Sequence, residues 1–113
     1  MSNATRAGAP EQGVLVVLTG DFEGTEHPLA RDETLIGRNP TTDITLLDEG
    51  ISREHALILR DESTRSFTIE DLQSTNGTKV NGKRVRSAVL AHGDSIEVGR
   101  TRFRFDLRRS QDA

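Results

Sequence analysis

The sequence predicts an all-β fold, a two-sheet β-sandwich of mostly antiparallel strands, and three observations carry that prediction. From Gly13 onward, short apolar runs are separated by turn-forming clusters, and several runs alternate apolar with polar residues. No stretch of helical length sustains a 3.6-residue period. Punctuation recurs at Asn39-Pro40, Asn76-Gly77, Asn81-Gly82, His92-Gly93-Asp94 and Gly99-Arg100, where positive or fixed φ angles suit tight turns. A length of 113 residues fits one domain around one core.

Residues 1–12 mix Ser, Asn, Ala, Gly and Pro without hydrophobic period and are expected to form a disordered arm, which carries Thr5 as a candidate phosphorylation and self-recognition site. The folded domain is expected over 13–108, and 109–113 read as a polar tail or the start of a linker. Within the domain, Val14 to Leu18 and Ala56 to Leu59 are continuous apolar runs suited to strands covered on both sides. Phe67 to Leu72 and Asp94 to Val98 alternate. Thr101 to Leu107 alternates best, with Phe103, Phe105 and Leu107 on one face and Arg102, Arg104 and Asp106 on the other, and reads as a half-buried edge. Shorter strands fit His27 to Ala30, Thr34 to Arg38, Ile44 to Leu46, Lys79 to Val80 and Ala88 to Leu90.

Composition removes several function classes. A formal net charge of -3 argues against the broad basic footprint of a nucleic-acid binder. No apolar stretch approaches the length that crosses a bilayer, and the start of the chain lacks the apolar core of an export signal, so a cytoplasmic location without membrane attachment is expected. With no cysteine there is neither a disulfide framework nor a thiolate metal site. The sequons Asn3-Ala4-Thr5 and Asn76-Gly77-Thr78 read better as arm and turn than as glycosylation sites.

Three segments concentrate polar residues beyond what a turn requires: Gly37-Arg38-Asn39-Pro40, Gly50-Ile51-Ser52-Arg53-Glu54-His55 and Ser74-Thr75-Asn76-Gly77-Thr78. If they meet at one end of the sandwich, they bring a guanidinium, a hydroxyl and a carboxamide together. A phosphate monoester carries about -1.5 to -2 charge near pH 7 and offers three acceptor oxygens, which an arginine fork matches and a serine hydroxyl supplements. A carboxamide both donates and accepts, so it can hold an extended peptide backbone nearby. Two or three charge-assisted bonds of roughly 1.5 to 3 kcal/mol each support micromolar affinity, about -8 kcal/mol. Taken singly, Arg38 reads as a solvated surface arginine, Ser52 as a turn hydroxyl, Asn76 as a positive-φ hairpin residue and His55 as a buried structural histidine. The shared pattern reverses the reading of Arg38, Asn76 can serve both as turn residue and as peptide contact, and the structural reading of His55 stays in place.

In order and approximate spacing, Gly37-Arg38, Ser52-Arg53-x-His55, Asp71-Leu72-x-Ser74-Thr75-Asn76-Gly77-Thr78-x-Val80-Asn81-Gly82, Gly93-Asp94 and Phe103-x-Phe105 resemble the forkhead-associated (FHA) domain family. The resemblance covers about Gly13 to Leu107. It implies an eleven-stranded sandwich that reads phosphothreonine through loops at one end, with no catalysis and no cofactor. Carried over by position, Arg38 and Ser52 would contact phosphate, Asn76 would hold the peptide backbone, and Arg53 and Thr75 would add phosphate or methyl-pocket contacts. His55 would brace the loops from within, and Gly37 and Gly77 would permit their geometry. The implied partner is a phosphothreonine-containing protein or peptide, and a monomer is expected. Asp48, Glu49 and Gly50 precede Ser52 in the loop that helps choose the third residue after the phosphothreonine, so an apolar or basic residue is expected there in preference to an acidic one.

Rival readings are weaker. Gly77 to Lys83 has the spacing of a phosphate-binding P-loop, but Arg84 stands where magnesium binding needs Ser or Thr, and neither the strand nor the helix of that motif is evident. Ser52 and His55 lack an elbow and an orienting acid for nucleophilic catalysis. Asp48, Glu49, Asp61 and Glu62 read as loop solvation, and His27, His55 and His92 are too dispersed for zinc. A phosphate-independent interaction scaffold on the same sandwich, using side faces such as that of Arg102 and Arg104, is the main alternative.

Overall fold

The structure, a computed structural model, describes residues 11–109. Eleven strands run in the order β1 (Glu11–Val17), β2 (Glu26–Pro28), β3 (Glu33–Gly37), β4 (Ile44–Thr45), β5 (Ala56–Asp61), β6 (Ser66–Asp71), β7 (Thr78–Val80), β8 (Lys83–Val85), β9 (Ser87–Val89), β10 (Ser95–Val98) and β11 (Thr101–Arg109). They form a six-stranded sheet, β2-β1-β11-β10-β7-β8, and a five-stranded sheet, β4-β3-β5-β6-β9. All pairings are antiparallel except β3 with β4. β1 begins at Glu11, opposite Arg109, so two residues assigned to the arm extend the first ladder. Thr5 and the rest of the arm lie outside the described residues.

Alternation places the core. Phe67 and Ile69 of β6, Ile58 of β5, Ile96 and Val98 of β10, and Phe103 and Phe105 of β11 turn inward and are buried between the sheets. Phe67 and Phe105 meet across the core with ring centroids 5.3 Å apart, tilted by 59°. Leu57 and Leu59, within the run read as covered on both sides, are only half-buried on the outward face of β5. The run in β1 does match that reading, because Val14 and Val16 are buried as well as Leu15 and Val17. Among the described residues no third layer covers the outward valines. Their neighbours in register are Asp106 and Arg104 on β11, with Pro28 and Glu26 on β2.

Two expectations about elements change. β11 is an interior strand between β1 and β10 rather than an edge, and its outward face is charged yet ordered by ion pairs. Asp106, 6% exposed, accepts from Arg104 at 2.7 Å and from Arg108 at 3.2 Å, while Arg108 also grips Glu26 at 2.9 and 3.0 Å. The second change is β8, a short edge strand with a single apolar residue, Val85, which no hydrophobic pattern marks. Its hairpin with β7 is the one that Asn81-Gly82 signals: both residues have positive φ, 52° and 85°, the combination of a two-residue primed turn.

Candidate functional site

The connections β3 to β4, β4 to β5, β6 to β7 and β10 to β11 meet at one end of the sandwich, and hydrogen bonds between them fix their arrangement. β3 ends at Gly37, where the chain passes against the β4–β5 loop: Arg38 N–H donates to the Ser52 carbonyl at 3.0 Å and Asn39 N–H to that of Arg53 at 3.1 Å. A Cβ on Gly37 would strike the Arg53 carbonyl group, lying 2.8 Å from its carbon, so the close approach admits only glycine without rearrangement. The β3–β4 turn is closed by Asn39, whose side-chain oxygen accepts from Thr41 N–H at 3.1 Å. It is also closed by the buried Thr42 hydroxyl, 2.7 Å from the Asn39 carbonyl.

This geometry brings Arg38 beside Ser52. The Arg38 Nε donates to the Ile51 carbonyl at 3.1 Å, which orients an exposed guanidinium and leaves its terminal nitrogens for another acceptor. Ser52 Oγ accepts from Thr75 N–H at 3.1 Å, joining the β4–β5 and β6–β7 loops and leaving the hydroxyl proton to donate. Asn76 Nδ2 donates to the Gly50 carbonyl at 2.9 Å, so its amide oxygen is the part left for a peptide N–H. Arg53, Thr75 and Asn76 are exposed and Ser52 is half-buried. The five residues expected to contact a phosphopeptide therefore lie on adjoining loops.

Beneath them His55 is completely buried. Its Nδ1 accepts from Ser52 N–H at 3.0 Å, which leaves Nε2 protonated to donate to the Gly77 carbonyl at 2.8 Å. Both ring nitrogens are thus committed to backbone, and neither reaches the Ser52 hydroxyl as a base would. Gly77 has φ of +88°, whereas Asn76 does not have positive φ. The Asn76-Gly77 pair is accordingly no hairpin but part of the passage from one sheet to the other.

Further braces lay outside the expected set. Asp71 accepts from the backbone N–H of Ser74 at 3.0 Å, from its hydroxyl, and from the Thr78 hydroxyl at 2.8 Å, while Ser74 Oγ accepts from Gly77 N–H at 2.9 Å. Burial pushes the Asp71 carboxyl up, but the bonds from Ser74 and Thr78 outweigh it and the group settles below the ordinary carboxylate value. Asp48, read as loop solvation, accepts from Gly50 N–H at 2.9 Å and from Arg100 N–H at 2.6 Å. Those two bonds lower its carboxyl and tie the β4–β5 loop to the β10–β11 turn. Asp61 closes the β5–β6 turn by accepting from Ser63 and Thr64. Side-chain oxygens three and six residues before the loop glycine Gly77 are the signal that marks Ser74 and Asp71; Asp48 also pairs with a residue 52 positions away, which no local pattern marks.

The P-loop spacing falls on the β7–β8 hairpin, where no helix follows. Among the described residues no three metal-ligating side chains cluster, and no helix is long and apolar enough to cross a membrane.

Comparison with known proteins agrees with this geometry. The FHA domain model matches residues 34–99, more than half of the chain. The oxoglutarate dehydrogenase inhibitor of Corynebacterium diphtheriae is 41% identical over 93 residues, 82% of this chain and 64% of its own length. The glycogen accumulation regulator GarA of Mycobacterium tuberculosis is 40% identical over 96 residues, 85% of this chain and 58% of its own. The chain therefore spans less than two thirds of these relatives. Among solved structures, Mycobacterium tuberculosis EmbR in complex with a low-affinity phosphopeptide superposes with a TM-score of 0.79 at 31% identity, covering 90% of this chain and 26% of EmbR. An FHA domain studied for phosphothreonine-dependent interactions gives 0.77 at 33% identity, covering 84% of this chain and 95% of that domain. By its loops, its two-sheet topology and these matches, the chain belongs to the FHA domain family.

Proposed function

We propose that the loop end of this domain binds phosphothreonine in a partner protein or peptide and so recruits or regulates that partner, with no catalysis and no cofactor of its own. The observation that carries this reading is the pairing of Arg38 with Ser52: their backbones are hydrogen-bonded, and each side chain has donors to spare. In this reading Arg38 and Ser52 hold the phosphate, Arg53 and Thr75 extend the contact, and Asn76 holds the peptide backbone through its free amide oxygen. His55, Gly37 and Gly77 keep the loops in place. Relatives named as an inhibitor and a regulator fit a protein that acts by occupying its partner. A monomer acting in the cytoplasm completes the proposal.

The test is fluorescence polarisation with labelled peptides carrying phosphothreonine, phosphoserine or plain threonine, against wild type and Arg38→Ala. An external label is required because the chain has neither Trp nor Tyr. Selective binding of phosphothreonine, weakened by about 2 to 4 kcal/mol in the variant, is the expected result. Equal binding of phosphorylated and plain peptides, with an indifferent variant, would instead support a phosphate-independent scaffold using the sheet faces.

A further inference from the structure

The loop end holds more positive charge than one phosphate needs. Among the described residues the guanidinium groups of Arg38, Arg53 and Arg84 form no ion pair within 4 Å, whereas those of Arg31, Arg60, Arg102, Arg104 and Arg108 each do. Arg84 is the member that no loop supplies. It lies on β8, the edge of the six-stranded sheet, opposite Lys79. Its side chain nevertheless rests against the β6–β7 loop: a Cβ built on Gly77 would fall 2.8 Å from the guanidinium carbon and 2.9 Å from Cδ of Arg84. Gly77 directly follows Asn76, and Asn76 is bonded on its other flank to Gly50. The side chain of Asn76 is thus bonded to Gly50, while the Arg84 guanidinium rests on the residue that follows it. Among the described residues no side-chain hydrogen bond engages the Arg84 guanidinium, so its donors are available to a ligand.

We propose that Arg84 is a second anion-reading residue, selecting phosphothreonine ligands that carry a further negative group, a carboxylate or a second phosphate, on the side of the peptide that passes Gly77. The proposal rests on the phosphothreonine reading above and adds the chemistry of the flanking sequence. It differs from any choice made beside Gly50, which has no side chain to offer. The competing role for Arg84 is to cover Gly77, which would make the residue matter for loop order and not for charge.

A scan distinguishes these. Phosphothreonine peptides with alanine at all flanking positions, then with a single Asp or a single phosphoserine moved along both flanks, are titrated against wild type, Arg84→Gln and Arg84→Glu, with urea unfolding run on each variant. In wild type, Asp at one or two adjacent positions is expected to tighten binding about two- to fivefold over alanine, with a larger gain for phosphoserine. Arg84→Gln, which keeps most of the stem, should erase that gain while leaving the alanine-flanked peptide unchanged, and Arg84→Glu should turn it into a preference for Lys. A gain that survives in Arg84→Gln, a flat scan in wild type, or an Arg84→Gln variant that weakens every peptide alike would overturn the proposal. If the alanine-flanked peptide binds no better than its unphosphorylated form, the phosphothreonine reading itself has failed, and that arm reports it separately.

Discussion

His55 shows how one residue can fix a site without touching a ligand. Its two ring nitrogens hold the Ser52 N–H and the Gly77 carbonyl, so a single imidazole sets the distance between the loop carrying Ser52 and the loop carrying Asn76. Replacing it by alanine leaves a buried donor, a buried acceptor and a cavity. His55→Ala is expected to destabilise the fold by about 2 to 4 kcal/mol, read as a lower urea midpoint at unchanged slope, and to weaken peptide binding as well. Asp71→Asn is a milder change: it keeps one acceptor for the Ser74 and Thr78 donors and is expected to cost about 1 to 2 kcal/mol in the same experiment. At this scale the sequence announces the groups that face outward, because Arg38, Ser52 and Asn76 are polar beyond what a turn needs. Asp48 is silent, since an acid in a loop looks the same whether water or a backbone N–H group 52 positions away faces it.

The loops are shaped by where glycine permits contact between elements. Gly37 lets the end of β3 pass against the Arg53 carbonyl, and Gly99, at φ of +62°, lets the β10–β11 turn sit against Ile51 and Asp48. Gly37→Ala is expected to push the β4–β5 loop off β3, costing about 1 to 3 kcal/mol in stability and displacing the amide signals of Ser52 and Arg53 in an NMR spectrum while those of β11 stay put. Strands were legible wherever one face is apolar, as in β6, β10 and β11. β8 was not, because an edge strand with Lys83, Arg84 and Val85 owes its conformation to the Asn81-Gly82 turn and its pairing with β7. The position of β11 is hidden for a related reason: Arg102 and Arg104 resemble the solvated face of an edge, yet β11 lies between β1 and β10. In the sheet they are ion-paired to Glu97 and Asp106 across an interior strand.

For the whole molecule, charge separates binding from folding along the pH axis. The carboxyls of Asp48, Asp71 and Asp106 are all held below their ordinary value of 3.8. The stability they contribute is therefore complete above that value and is lost as pH falls through their lower folded values. A phosphothreonine regains its second proton near pH 6. Between pH 7.5 and 5, affinity is expected to fall while the urea midpoint holds; below about pH 4 the midpoint should fall too. Unchanged affinity across the first interval would count against recognition of the dianion. Added salt should weaken binding more than folding, since the arginines at the loop end are exposed while the folded core is apolar. The pairing of β1 with β11 has a practical outcome. Glu11 stands opposite Arg109, and the nine residues of β11 span about 30 Å from there to the β10–β11 turn. Both strand ends thus leave the sandwich together at the pole away from the recognition loops. A label attached at Glu11 or Arg109 sits at the far pole and leaves the reading surface facing the sample.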